Sequence, residues 1–183
     1  MKYNDSATRE RVIEKTIELL KLHGVHGWNM DKLSAETDLA KNTLYKIVRS
    51  KERLMEEVAL KHCKRIYSQL LHISESGDDY FSTLEKLLQT YGEISPAYFA
   101  EIFIEYPNVK STVESQFAEA KQRLIDYIAA GIRAGYVKDL GAEKIFDLLR
   151  AIGFFFVSVK DKRERSEKIQ FAFQCVLCGI VNR

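Results

Sequence analysis

The segment from Asn29 to Lys51, NMDKLSAETDLAKNTLYKIVRSK, decides the fold of this chain. Its pattern predicts two short helices joined by a tight turn, with a third helix beginning at its end. Asn29 can cap the first helix through its side-chain oxygen. The turn falls at Thr37 to Ala40, where Asp38 tolerates a left-handed backbone and Leu39 supplies an apolar plug. Two short helices around such a turn form a helix-turn-helix.

The second helix of this segment is predicted from Lys41 to Val48, with one buried and one exposed face. Leu44, Ile47 and Val48 share a face by helical spacing and are expected to pack inward. The opposite face carries amide, hydroxyl and cationic side chains, which bind base edges and phosphates. The residues predicted to contact double-stranded DNA are Asn29, Lys41, Asn42, Thr43, Tyr45, Lys46, Arg49 and Lys51.

The third helix opens at Ser50, a good N-cap residue, and is predicted to run to about Ile73. Its first turn exposes N–H groups that can bind a phosphate, and Lys51 adds a positive charge there. The alternative for Lys51 is an ordinary surface lysine. Arg9 and Arg11 lie in the first turns of the first helix of the chain. For them too, phosphate contact and solvated surface are both possible roles.

These residues resemble the DNA-binding domain of the TetR (tetracycline repressor) family. That family reads as a capped helix, then G-V-S-x-G-T-x-Y-x-Y/H-F, then x-S/N-K-E-x-L. This chain has DLAKNTLYKIV followed by RSKERL. The fitting positions are Thr43, Leu44, Tyr45, Ser50, Lys51, Glu52 and Leu54, and the departures are Asp38, Ala40, Asn42, Ile47 and Val48. The departures affect which DNA sequence is read rather than how the helix docks.

The resemblance covers residues 8 to about 60 and is architectural beyond them. It implies an all-α fold of about nine helices, with a three-helix head and a C-terminal helical domain for effector binding and dimerisation. The implied function is a ligand-responsive repressor that binds a palindromic operator as a homodimer. The residues themselves show no cofactor, metal or catalytic motif, with an enzyme kept as a rival class, and the aromatic side chains suit an effector of hydrophobic or aromatic character.

The predicted domain division places residues 1–50 in the helix-turn-helix domain, a linking helix to about residue 65, and residues 66–183 in the second domain. Residues 1–65 contain 14 Lys and Arg against 10 Asp and Glu, a net of +4, whereas residues 66–183 carry a net of −2. Of 20 aromatic residues, 17 follow residue 65. A basic first part and an aromatic-rich second part suit anion binding and ligand binding respectively.

Composition also excludes some classes of protein. The chain has 183 residues, 46% of them hydrophobic, and only two prolines, which is typical of a compact helical protein. Because it lacks a run of 18 or more apolar residues, no membrane span is predicted. Three cysteines without a paired framework, and no secretion signal at the N-terminus, indicate the reducing cytoplasm.

Several further helices are predicted in order along the chain. The first runs from Ala7 to His23 and ends at Gly24, and Ser95-Pro96 starts another. A long helix is predicted from Pro107 to Ala134. An apolar helix follows from Ala142 to about Val159, then a charged loop over residues 160–165, and Ser166 caps the last helix.

Two sets of apolar residues are assigned to the second domain. Aromatic side chains that could line an effector cavity, although core packing is the commoner role, are Tyr91, Tyr98, Phe99, Phe103, Phe117 and Tyr127. The last two helices are apolar over more than one face, which indicates coverage on two sides. Residues predicted to form a dimer interface there, with a centrally buried helix of a monomer as the alternative, are Phe154, Phe155, Ile169, Phe173, Val176 and Ile180.

Other motifs point away from catalysis. Cys175 and Cys178 form a C-x-x-C within an apolar helix, for which core packing is favoured over a redox switch. No G-x-S-x-G, phosphate-binding glycine loop or H-E-x-x-H occurs. The rival function is a helical adaptor that uses its helix-turn-helix for protein contacts. Binding to DNA that weakens steeply with salt would distinguish the two.

Overall fold

The computed structural model describes residues 6–94, 97–156, 159 and 161–181, apart from the side chains at 92–94, 97, 153, 154 and 162. Over these residues the chain is helical, with one isolated bridge between Val137 and Val181, which confirms the all-α prediction. The predicted start at Ser95-Pro96 lies outside the described residues. The helices are α1 Ser6–Gly27, α2 Met30–Thr37, α3 Lys41–Val48, α4 Lys51–Ser74, α5 Tyr80–Ile94, α6 Ala97–Glu105, α7 Pro107–Gln116, α8 Ala118–Arg133, α9 Ala142–Phe155 and α10 Lys162–Ile180.

The chain divides into two compact units. The first unit contains Met1–Cys63 and Pro96–Ser115, and the second contains Lys64–Ser95 and Gln116–Arg183. The predicted division into 1–50 and 66–183 assigned residues 96–115 to the second domain, whereas their packing places them in the first unit. The reason is that α6 packs along α1, a pairing between segments too far apart in sequence for any local pattern to indicate.

The core of the first unit is built from the apolar stripes of α1 to α4. Val12, Leu33, Leu44, Leu54 and Val58 are all fully buried. Trp28, only 2% exposed, fills the space before α2. α2 and α3, with eight residues each, are too short to be stable alone, so this shared burial holds the helix-turn-helix in shape.

α1 is interrupted at Gly24, where the backbone has φ 68° and ψ −179°. The predicted end at this glycine therefore corresponds to a real break, but a further helical turn, Val25–Gly27, follows it. The Val25 N–H donates to the Glu101 carboxylate of α6 at 2.8 Å. Glu101 thus caps the new turn from a distant part of the chain, which satisfies a donor that the break leaves open.

The second unit has a core shared by α5, α8, α9 and α10. Its buried residues include Leu84, Ile128, Ile145, Ile169 and Phe173. A smaller cluster joins the end of α4, through Ile66 and Leu70, to Leu87 of α5 and Leu124 of α8.

The long helix predicted from Pro107 to Ala134 is wrong, since Phe117 separates α7 from α8. Phe117 has φ −106° and ψ 16°, and its ring stacks on Tyr67 with 5.2 Å between centroids. Helical spacing continues across the break, so no local pattern indicated it. The described residues therefore form ten helices instead of about nine.

α10 begins earlier than predicted. Asp161 is its N-cap, and its Oδ1 accepts a hydrogen bond from the Glu164 N–H at 2.7 Å. Residues of the predicted charged loop therefore form the first turn of this helix. Ser166 lies one turn inside it and is not the cap.

Three residues predicted at a dimer interface lie in the core instead. Ile169, Phe173 and Ile180 are only 1%, 3% and 5% exposed, and all three belong to the core of the second unit. Val176 is partly buried against the same core. Phe155 is 75% exposed, and the side chain of Phe154 lies outside the described part of the structure.

Candidate nucleic-acid interface

α2 begins with the predicted cap. Asn29 Oδ1 accepts hydrogen bonds from the N–H groups of Asp31 at 3.1 Å and Lys32 at 2.9 Å. This confirms Asn29 as the N-cap. Because its oxygen is engaged in the cap, only the remainder of its exposed side chain is available for DNA.

The turn between α2 and α3 has the predicted geometry. Asp38 adopts the left-handed conformation with φ 53° and ψ 30°. Leu39 is 8% exposed and acts as the apolar plug, while its carbonyl accepts from the Ser34 hydroxyl at 2.6 Å. The departure from glycine at position 38 is therefore accommodated without loss of the turn.

α3 has the predicted bounds and the predicted two faces. Leu44, Ile47 and Val48 are at most 2% exposed, so this face is fixed in the core of the first unit. The other face carries Lys41, Asn42, Tyr45, Lys46 and Arg49, all exposed, with Thr43 half-buried. Ala40 precedes the helix and makes no side-chain cap, as its departure from serine implies.

The cations of α3 differ in their partners. Lys41 Nζ lies 2.9 Å from Asp31 Oδ1, which ties α3 to α2, and hydrogen bonding to Asp31 raises the pKa of Lys41. In the part of the chain that the structure describes, Lys46 and Arg49 have no carboxylate partner. These two charges are therefore available to an anionic partner.

The start of α4 lies directly after this helix. Ser50 Oγ accepts from the Arg53 N–H at 3.0 Å, which confirms Ser50 as a cap residue. Lys51 Nζ lies 4.9 Å above the centroid of the Trp28 ring. This cation–π contact positions the ammonium group at the helix N-terminus, where N–H groups and charge together favour a phosphate.

Arg9 and Arg11, which sequence left open, bind the ends of the two helices. Arg9 donates to the Ile47 carbonyl at 2.8 Å and pairs with Glu57 of α4. Arg11 donates to the Thr37 carbonyl at 3.1 Å. A cation at a helix C-terminus stabilises the last carbonyls. Arg9 therefore positions α3 and Arg11 positions α2, and no local pattern in the sequence indicated these roles.

Taken together, α1, α2 and α4 hold α3 as a rigid projection with amide, hydroxyl and cationic groups outward. No catalytic chemistry follows from these groups, because they are donors and charges rather than a nucleophile with a base. They are suited to hydrogen bonds with base edges and to phosphate contacts.

The structure distributes the predicted effector residues over both units. Tyr98, Phe99 and Phe103 belong to the first unit, where Phe99 packs on Phe103 with 4.6 Å between centroids and on His62 with 4.7 Å. In the second unit, three predicted residues occupy its core or its aromatic stacks, namely Tyr91, Phe117 and Tyr127. Their assignment to an effector site stays a prediction.

The cysteine prediction needs correction. Cys175 and Cys178 are exposed on α10, because the core stripe of this helix runs through Ile169, Phe173 and Ile180 instead. Cys63 is buried, and this burial raises the pKa of its thiol to about 12. No helix among the described residues has the length and apolar character needed to cross a bilayer.

Comparisons with solved structures show the fold. The ketosteroid transcriptional regulator KstR2 of Mycobacterium tuberculosis superposes with a TM-score of 0.76 at 16% identity, over 98% of this chain and 97% of that one. A TetR/AcrR-family transcriptional regulator from Thermobifida fusca gives 0.75 at 15% identity, over 95% and 98%. AibR, solved with isovaleryl coenzyme A and operator DNA, gives 0.70 at 11% identity, over 88% and 95%.

No protein-family model matches the sequence, and no curated protein matches it. The chain therefore has the fold of TetR-family transcriptional regulators across nearly its whole length, although its sequence is only 11–16% identical to these three structures. The resemblance found in the helix-turn-helix extends to the architecture of both units.

Proposed function

We propose that this chain is a DNA-binding transcriptional regulator, a ligand-responsive repressor that binds a palindromic operator as a homodimer. The observation that carries the proposal is α3: its apolar face is fully buried, and its polar face presents Asn42, Tyr45 and Lys46 to solvent. The fold supports it, since solved structures of this architecture are transcriptional regulators, one of them in complex with operator DNA.

Each exposed side chain has a role in this proposal. Asn42 is suited to bidentate bonds with adenine, and Lys46 and Arg49 to guanine or phosphate. Thr43 and Tyr45 offer hydroxyls to the phosphate backbone. Lys51 and the first turn of α4 bind a further phosphate, while Lys41 divides its charge between Asp31 and the DNA.

The proposed dimer uses the exposed apolar side of α9 and α10. Leu148, Phe155 and Phe171 are 47%, 75% and 67% exposed, which is costly for large apolar side chains unless a partner covers them. A two-fold pair of this chain would present two copies of α3. Successive major grooves lie about 34–36 Å apart, so the operator is expected to be a palindrome with that half-site spacing.

The proposed effector is a small hydrophobic or aromatic molecule bound by the second unit, which contains most of the aromatic residues. One structure of the same fold is named for a ketosteroid and another contains isovaleryl coenzyme A, so the architecture accommodates small organic ligands. Release of DNA requires that the effector bind the DNA-free form more tightly.

The test measures affinity for a duplex selected by the protein from a random pool, as a function of salt. Lys46→Ala should weaken binding and reduce the slope of log K against log salt by about 2, because one phosphate contact is lost in each half-site of the dimer. Tyr45→Ala should weaken binding with little change in slope. Both variants should keep the wild-type melting temperature, since neither side chain is buried.

Lys15→Ala is the matched control, because Lys15 is a lysine of α1 whose charge is paired with Glu18. It should leave affinity and slope unchanged. Unaltered DNA affinity in both α3 variants would contradict the proposal. DNA binding that does not change with salt concentration would instead favour the helical adaptor. Contacts to phosphates release counterions and so depend on salt, whereas an adaptor makes no such contacts.

A further inference from the structure

Three tyrosines of the second unit form a stack centred on Tyr80, the first residue of α5. The Tyr80 ring lies 4.9 Å from Tyr127 at an interplanar angle of 11°, and 5.2 Å from Tyr136 at 25°. Near-parallel rings at these distances are stacked rather than randomly packed. Tyr80 therefore occupies a flat space, which we call the Tyr80 slot, bounded by Tyr127, Tyr136 and Gly131.

Gly131 of α8 forms the end of this slot. A Cβ at this position would lie 2.1 Å from both the Cζ and the hydroxyl oxygen of Tyr80. Gly131 is buried and helical, and no positive φ requires glycine there. The close approach of the Tyr80 ring is what excludes a side chain, so the slot depends on the absence of a Cβ.

Tyr80 is a poor occupant of its own slot. Its hydroxyl is buried and has no hydrogen-bond partner in the described structure. Burial, and secondarily the proximity of Tyr127, raise the pKa of the Tyr80 phenol well above its usual value. A buried hydroxyl without a partner loses its bonds to water and gains none in return. A flat ring without a polar atom at this depth would fit the slot better.

The hydrogen bonds that hold the start of α5 do not involve the Tyr80 side chain. The start of α5 is held by its backbone, because Asp79 Oδ1 accepts from the N–H groups of Phe81 and Ser82 at 3.1 Å each. The Tyr127 hydroxyl donates to the Tyr80 carbonyl at 2.9 Å. Neither contact involves the Tyr80 side chain, so its rotation leaves both intact. Phe81 and Tyr136, which pack on Tyr80, are 41% and 44% exposed, so the slot adjoins the surface.

We propose that the Tyr80 slot binds a flat, apolar aromatic ring by exchange, with the ligand stacking on Tyr127 and Tyr136 while the Tyr80 ring turns out to solvent. The proposal names the chemical class of the effector and thus rests on the proposed ligand-responsive regulator. In water the Tyr80 hydroxyl regains its hydrogen bonds, which contributes to the exchange.

Toluene is the probe, titrated into the full-length wild-type protein by calorimetry. Saturable binding is expected. Tyr80→Phe keeps the ring but removes the unpartnered hydroxyl, so the slot holds its own ring more tightly and toluene affinity should fall by about fivefold or more. Tyr106→Phe, which removes a tyrosine hydroxyl from the first unit, is the matched control and should bind toluene as the wild type does.

The exchange itself is visible by fluorine NMR of protein labelled with 3-fluorotyrosine, in which the Tyr80 signal is identified by its loss in Tyr80→Phe. Saturation with toluene should move this signal to the position of a solvent-exposed tyrosine. In Gly131→Leu, the new side chain should fill the slot, place Tyr80 in solvent without ligand, and abolish toluene binding.

Three results would overturn the inference: no saturable binding by the wild type, equal affinity in Tyr80→Phe, or a Tyr80 signal that stays in place at saturation. The NMR measurement needs no variant beyond the assignment, so misfolding of Gly131→Leu does not decide the outcome. These experiments contain no DNA. A negative result with toluene would therefore leave the proposed DNA binding intact, and a negative result in the DNA-binding test would leave the toluene result unaffected.

Discussion

At the scale of single residues, Arg9 of α1 stabilises the helix-turn-helix through polar contacts with residues distant in sequence. Arg9 bonds both to the end of α3 and to Glu57, whose side chain is only 13% exposed. Its guanidinium thus neutralises a largely buried carboxylate and satisfies a carbonyl. The same geometry excludes the simpler reading of Arg9 as a solvated surface residue.

Arg9→Ala should lower the free energy of unfolding by about 1–3 kcal/mol, because Glu57 and the Ile47 carbonyl both lose a charged donor. Urea unfolding measures this effect. Lys15→Ala is the control, since its exposed pair with Glu18 is expected to contribute little. Normal stability of Arg9→Ala together with weaker DNA binding would show that the guanidinium serves DNA instead of the fold.

Gly24 is a second residue whose identity the fold requires. With φ +68° and ψ −179°, it occupies a region that only glycine adopts readily, and an added Cβ would lie 3.0 Å from Glu101 Oε2. Gly24→Ala should therefore destabilise the protein by about 1–3 kcal/mol in urea unfolding.

Gly179 of α10 provides the matched control for Gly24→Ala. A Cβ there would meet no atom within 4 Å, so Gly179→Ala should be neutral or stabilise by up to about 1 kcal/mol. Both variants are compared at one protein concentration. Equal effects of the two substitutions would show that the break in α1 imposes no special demand on residue 24.

At the scale of elements, helix ends depend on which residue is in the extended conformation before the first turn. Asp161 has φ −69° and ψ 122° and bonds the Glu164 N–H, so it starts α10. Asp161 and Ser166 are both common N-cap residues, and sequence alone did not rank them correctly. The tertiary fold selected the earlier one, which extends α10 by one turn.

Asp161→Ala should cost about 0.5–2 kcal/mol of stability, because the first turn of α10 loses its cap. Ser166→Ala should have an effect near zero, since Ser166 lies inside the helix. Thermal unfolding of the two variants under identical conditions makes the comparison. The reverse order of effects would restore Ser166 as the start of the helix.

At the scale of the whole molecule, the proposed function requires a dimer that presents two copies of α3. The stripe predicted to pair two copies is the core stripe of α10, which moves the proposed interface to the opposite, exposed side. Leu148 and Phe155 of α9 and Phe171 of α10 form the exposed apolar groups there. Sequence periodicity identified an apolar excess on these helices but not which side faces inward.

Phe155→Glu combined with Phe171→Glu should convert the dimer to a monomer with intact helical content, because two carboxylates would be buried in each copy's interface. Sedimentation velocity measures the assembly state. Leu22→Glu is the control: Leu22 is 76% exposed in the first unit, and its substitution should leave the dimer unchanged. A wild-type monomer at micromolar concentration would refute the proposed assembly.

The helix-turn-helix was predictable because its determinants are local. Leu44, Ile47 and Val48 lie within one turn of each other, and Asn29 and Ser50 cap the helices that they begin. Such signals act over three or four residues and survive wide divergence of the remaining sequence.

The sequence by itself thus determined the all-helical fold, the bounds of α3 and its exposed face. Only the tertiary structure decided that Arg9 and Arg11 hold helix ends, that Glu101 caps the break at Gly24, and that Phe117 divides a continuous helical pattern. The physical reason is range: hydrogen bonds and buried faces between distant segments leave no periodic trace in the sequence, whereas capping and helical spacing do.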